Sequence, residues 1–122
     1  MYNKIKHFQP WEFECGCGCG EGPGKMHPEF LARLDRARAR AEIPFHVNSG
    51  YRCPEYNKRI GTTADSAHTR GYAADIKAEH SRDREMILAT AIKEGFNRIG
   101  IAEGFIHLDN DPDKPENVCW VY

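Results

Sequence analysis

Arg98-Ile99-Gly100-Ile101-Ala102-Glu103-Gly104-Phe105-Ile106-His107-Leu108-Asp109 decides the fold. Two apolar runs flank a short link centred on Glu103-Gly104, the pattern of two strands joined by a tight turn. Along Phe105–Asp109 a period of two puts Ile106 and Leu108 on the core side and His107 with Asp109 on the other. Strands joined so closely run antiparallel, so this hairpin argues for an antiparallel sheet rather than a parallel one.

Working outward, Tyr72–Ala78 reads as a third strand, with Ala73, Asp75 and Lys77 on one face and Ala74 and Ile76 on the other. Ser81 suits an N-cap for a helix over Arg82–Glu94, where Met86, Ile87, Thr90 and Ala91 recur at helical spacing and Gly95 stops it. Pro28–Ala41 reads as a helix with proline near its start, Leu31, Leu34, Ala37 and Ala41 on one face and arginines on the other. Phe45–Ser49 alternates like a strand, with His46 turned outward. Pro54–Ile60 is a short helix ended by Gly61. Pro10–Phe13 forms a single helical turn that pins the N-terminus, and Val118–Tyr122 a final strand. Helices alternating with strands, then strands joined by short links, predict one α+β domain over residues 1–122. Its sheet is mainly antiparallel with helices packed on one side.

A chain of 122 residues, 40% apolar and 29% charged, is the size and composition of one globular domain. A formal charge of -1 gives no electrostatic case for nucleic acid or an anionic membrane as partner. Nothing at Met1–Gln9 resembles a signal peptide, so synthesis in the cytoplasm is expected. Five cysteines leave at least one thiol without an intrachain partner, and reduced thiols are the expectation. Three of them alternate in Cys15-Gly16-Cys17-Gly18-Cys19. Structural zinc sites space their cysteines more widely and need four ligands, so this stretch is expected to be a surface loop with free thiols or one disulfide. Cys-x-x-Cys spacing, the mark of a redox motif, is missing.

The chemistry concentrates in Ser66-Ala67-His68-Thr69-Arg70-Gly71-Tyr72-Ala73-Ala74-Asp75. If the strand carrying Asp75 neighbours the one carrying His107, both side chains converge on one face. His68, in the loop before the strand, then reaches over the same spot. Two histidines and one aspartate make a three-ligand set for a catalytic zinc, with the fourth position left to water.

These residues resemble the zinc D,D-carboxypeptidase and endolysin peptidases of peptidase family M15. The likeness rests on Ser66-x-His68-x-x-Gly71-x-Ala73-x-Asp75, on Ser49-Gly50-Tyr51-Arg52-Cys53-Pro54 with Asn57, and on Ile106-His107-Leu108-Asp109. It extends over nearly the whole chain and is greatest towards the small single-domain phage-type branch. The resemblance implies a D,D-peptidase-like fold, shared with the Hedgehog signalling domain. It implies one zinc per chain held by His68, Asp75 and His107, and a monomer acting on the stem peptide of peptidoglycan. It further implies a place of action at the bacterial wall for a phage or prophage enzyme, hydrolysing as a D,D-carboxypeptidase or as an L-alanyl-D-glutamate endopeptidase.

Arg52 resembles the family arginine that supports the substrate or a developing oxyanion; a structural ion pair is its alternative. Ser66 resembles a serine beside the substrate; a loop-capping hydroxyl is its alternative. Many members carry a general-base carboxylate three residues before the last histidine, where this chain has Gly104. Glu103, one position away on the turn, and Asp109, on the His107 face, are the two candidates for that role, with Glu103 slightly favoured. A non-catalytic zinc module of the Hedgehog type is the rival reading.

Overall fold

Helix α1 occupies Pro28–Ala41, beginning on the proline and ending where Glu42 turns into the left-handed region. Phe30, Leu31, Leu34, Ala37 and Ala41 are buried, and this stripe packs against α3, Ser81–Lys93, through Ile87 and Ala91. Ser81 is the first helical residue and His80 takes the capping position, with no side-chain bond to the helix end. The capping expectation for Ser81 is therefore corrected by one residue. Between them lie β1 (Val47–Ser49), the short helix α2 (Pro54–Arg59) and β2 (Ala73–Lys77). After α3 come β3 (Arg98–Ile101), β4 (Phe105–Asp109) and β5 (Val118–Val121). The structure, a computed structural model, describes all residues from Met1 to Tyr122.

The five strands form one sheet in the order β1-β2-β4-β3-β5. The first three pairings are antiparallel; β3 and β5 run parallel. That exception has a simple cause. The polar loop after Asp109 stays at the end of the sheet where β4 finishes, so a strand leaving it beside β3 must run in the direction of β3. The fold is α+β, mostly antiparallel, as the hairpin implied. No helix is long and apolar enough to cross a membrane.

Ala74, Ile76, Ile99, Ile106 and Leu108 join the buried cluster shared with α1 and α3. Removing that much apolar surface from water is the main stabilising term, about 25 cal/mol for each Å² buried. The opposite face carries a row that crosses the sheet through paired positions: Ser49, Asp75, His107, Gly100 and Trp120. Gly100 has a steric reason to be glycine. A Cβ there would lie 2.5 Å from Trp120 Nε1, so its absence lets the indole settle beside His107, ring centroids 5.3 Å apart. The turn Pro10–Phe13 buries Phe13 completely beneath the 50–53 segment. A Cβ on Gly50 would come within 2.9 Å of Phe13 Cα, and Tyr51 N–H donates to the Phe13 carbonyl.

Candidate metal centre

His68 sits on a 3-10 turn, Ala67–Arg70, capped by Ser66, whose Oγ accepts from the His68 backbone N–H at 3.2 Å. Gly71 ends the turn at φ +80, and a Cβ there would meet the Lys25 carbonyl at 2.0 Å. His68 Nδ1 lies 2.7 Å from the Gly50 carbonyl, which can only accept, so Nδ1 carries the proton. Nε2 is left with its lone pair, buried, without a hydrogen-bond partner, and 3.3 Å from Asp75 Oδ1.

Asp75 and His107 are direct partners across β2 and β4, and His107 Nδ1 is 2.9 Å from the same Asp75 Oδ1. One ligand atom from each of His68, Asp75 and His107 therefore falls within 4.8 Å of the others. An unpartnered imidazole nitrogen, a second imidazole and a carboxylate, all buried, are donors that suit zinc. The donor set fits the metal.

The surroundings fix these groups. Arg52 Nη2 donates to Asp75 Oδ2 at 3.2 Å, while its Nε and Nη1 bond Ser49 Oγ and Asn57 Oδ1. Asp109 Oδ2 lies 2.6 Å from His107 Nε2, and its Oδ1 accepts from Arg98 Nε at 2.6 Å and from the Asp111 N–H. Burial opposes ionisation of Asp75, but the hydrogen bond from His107 outweighs it and holds the carboxyl well below the usual carboxylate range. Asp109 is likewise lowered, burial being overcome first by the bond to His107. His68 is lowered because burial outweighs the pull of Asp75. His107 moves the other way: burial pushes it down, yet the bonds to Asp109 and Asp75 prevail and raise it.

The residues open onto a cleft of about 520 Å³, walled by Phe105, Trp120 and Tyr122 and flanked by Thr62, Thr63, Ser66, Arg52 and Lys114. Two carboxylates line it, Asp75 and Asp109, and both are engaged as described. Glu103 is not brought there. It lies exposed on the turn between β3 and β4, its carbonyl accepting from Arg84 of α3, because the hairpin turns away from the metal-facing row toward the helix layer. In this structure Glu103 stands outside the residues that line the cleft. Asp109 is present but occupied on both oxygens, holding His107 rather than facing open space. Ser66 makes the capping contact and Arg52 the ion pair with Asp75, and both line the cleft.

Three features escaped the sequence reading. Arg98, which grips Asp109, was readable from the hairpin register, which sets it opposite Asp109. The aromatic wall from β5 depends on the parallel pairing and had no local signal. The thiols of the cysteine loop are free and Cys19 is exposed, but the loop is not wholly at the surface: Cys15 is buried, and Cys53 meets it.

A family model described as Peptidase M15 matches residues 6–109. No curated protein matches the chain.

Proposed function

The chain belongs to the peptidase M15 family, whose members are zinc-dependent peptidases, and from that premise we propose that it hydrolyses stem-peptide bonds of bacterial peptidoglycan. The observation that carries the reading is the buried, unpartnered Nε2 of His68 facing Asp75 and His107 at the floor of the cleft. His68, Asp75 and His107 would hold the zinc. Zinc there supplies a Lewis acid that acidifies water and polarises a peptide carbonyl.

The protein's own groups do the rest. The Gly50 carbonyl fixes the His68 tautomer, and Asp109 fixes that of His107 by accepting from Nε2, so each imidazole offers its other nitrogen. Arg52 neutralises and aims Asp75, and its position on the cleft wall also suits it to a carbonyl oxygen gaining charge. Phe105, Trp120 and Tyr122 provide an apolar wall that excludes water from one side of a bound peptide. Lys114 and Arg52 offer positive charge to the free carboxylates of a stem peptide, a feature that supports this substrate class.

The test is mass spectrometry of purified peptidoglycan incubated with the protein, with and without a chelator. New termini that vanish with chelator are expected, and their identity separates D,D-carboxypeptidase from L-alanyl-D-glutamate endopeptidase action. The engagement of both cleft carboxylates favours one rival, a zinc-containing binding module. Retention on peptidoglycan with no new termini at any zinc level would establish the rival instead.

A further inference from the structure

Cys15, Cys17, Cys19 and Cys53 place all four Sγ atoms within 4.8 Å of one another, away from the His68 site. Cys15 and Cys17 are 3.4 Å apart, Cys15 and Cys53 3.7 Å, and Cys17 and Cys53 3.8 Å. Four sulfurs on a tetrahedron with zinc–sulfur bonds of about 2.3 Å stand roughly 3.8 Å from each other. The cluster has the size of a tetrathiolate metal site. None of the five cysteines is in a disulfide.

The chain reaches this arrangement by turning where an extended segment would spread it. In a strand, alternate side chains stand roughly 6.6 Å apart along one face. Here Gly18 N–H donates to the Cys15 carbonyl, and Gly18 and Gly20 adopt φ +83 and +82, a region open to glycine at little cost. The turn folds Cys17 back onto Cys15, and Cys15 N–H is fastened to the Glu21 carbonyl at 2.8 Å. Cys53 arrives from the start of α2, and its own N–H donates to Cys15 Sγ at 3.3 Å. An amide aimed at sulfur favours the thiolate, the form that binds metal.

We propose that Cys15, Cys17, Cys19 and Cys53 bind a second, structural zinc, so that the chain carries two zinc ions. Four thiolates leave no open position for water, which makes the site a closed one with a structural role. What it would staple is specific. Gly50–Cys53 supplies the carbonyl that orients His68 and the guanidinium that holds Asp75. The cysteine zinc ties that segment to the N-terminal loop and so stands behind the catalytic residues without touching substrate.

The experiment counts metal in the His68→Ala/His107→Ala variant, purified with reductant, by elemental analysis against protein concentration. One zinc per chain is expected there and two in the wild type. Replacing that zinc with cobalt(II) should give the strong near-ultraviolet thiolate-to-cobalt bands of tetrahedral sulfur coordination. Cys19→Ser, at an exposed position, should lower the wild-type count from two to one while circular dichroism stays native. Absence of zinc from the double-histidine variant with all five thiols reacting freely would overturn the proposal, as would iron in its place. A disulfide from Cys53 to the loop in non-reduced peptide maps would do the same. A wild type with one zinc that Cys19→Ser removes would instead count against the His68 site and leave the cysteine site standing.

Discussion

Asp109 illustrates how neighbours assign a carboxylate its role. On its strand it stands on the face that carries the metal site, and it meets Arg98 and the Asp111 amide on one oxygen and His107 on the other, the contacts of a positioning group. Asp109→Ala should weaken zinc binding at the histidine site by about 10- to 100-fold, read by competition with a chromophoric chelator. Unchanged affinity would show that His107 needs no such support. Glu103→Gln should leave turnover within about twofold, against the hundredfold or more expected for a general base. A large loss of turnover with zinc retained would return Glu103 to the site. The same histidine predicts a pH dependence. His107 binds its proton more tightly than an ordinary histidine, and zinc must displace that proton. Zinc affinity should therefore fall as pH drops through the raised value, and a flat affinity between about pH 6 and 8 would contradict this.

Among the elements, the turn Ala67–Arg70 depends on Gly71. Gly71→Ala forces a Cβ onto the Lys25 carbonyl as well as a left-handed residue, so a destabilisation of about 2 kcal/mol or more is expected in urea unfolding. Helices α1 and α3 are tied at one end by Glu94, which Arg40 and Arg36 clasp at 2.8 and 2.9 Å. These arginines hold the Glu94 carboxyl below its usual range. A lowered folded-state value adds stability that is full above the unfolded-state value and disappears as pH falls through the folded one. The arginines are 49% and 56% exposed, so solvent screening limits the contribution to about 1 kcal/mol or less. Glu94→Gln should cost that much near neutrality, with the gap to wild type closing below about pH 4. A gap that persisted in acid would point to packing rather than charge.

At the level of the whole molecule, metal and fold are linked. A ligand that binds the folded chain and not the unfolded one stabilises it by mass action. The histidine site joins the turn before β2 to β2 and β4, and the cysteine site joins the N-terminal loop to the start of α2. Chelation should therefore lower the melting temperature in two separable steps in the wild type and in one step in His68→Ala/His107→Ala. A single unshifted transition in excess chelator would show that neither site contributes to stability.

The sequence by itself determined the elements and the facing of their side chains. Period two on β4 set Ile106 and Leu108 inward and His107 outward, proline and leucine spacing delimited α1 from Pro28 to Ala41, and the hairpin committed the sheet to antiparallel order. Those patterns act between near neighbours, where backbone geometry alone decides direction. It also placed His68, Asp75 and His107 on converging elements, because two strands paired face to face bring their outward residues together. Tertiary structure decided what irregular segments do. Cys53 meets Cys15 across 38 positions because Phe13 packs under Gly50 and fixes how the glycine loop closes, an outcome no periodicity encodes. The occupation of Asp109, the exposed place of Glu103 on its turn and the aromatic wall from the parallel β5 arose in the same way. Each depends on which distant groups arrive at one place, and that follows from burial of the core rather than from local spacing.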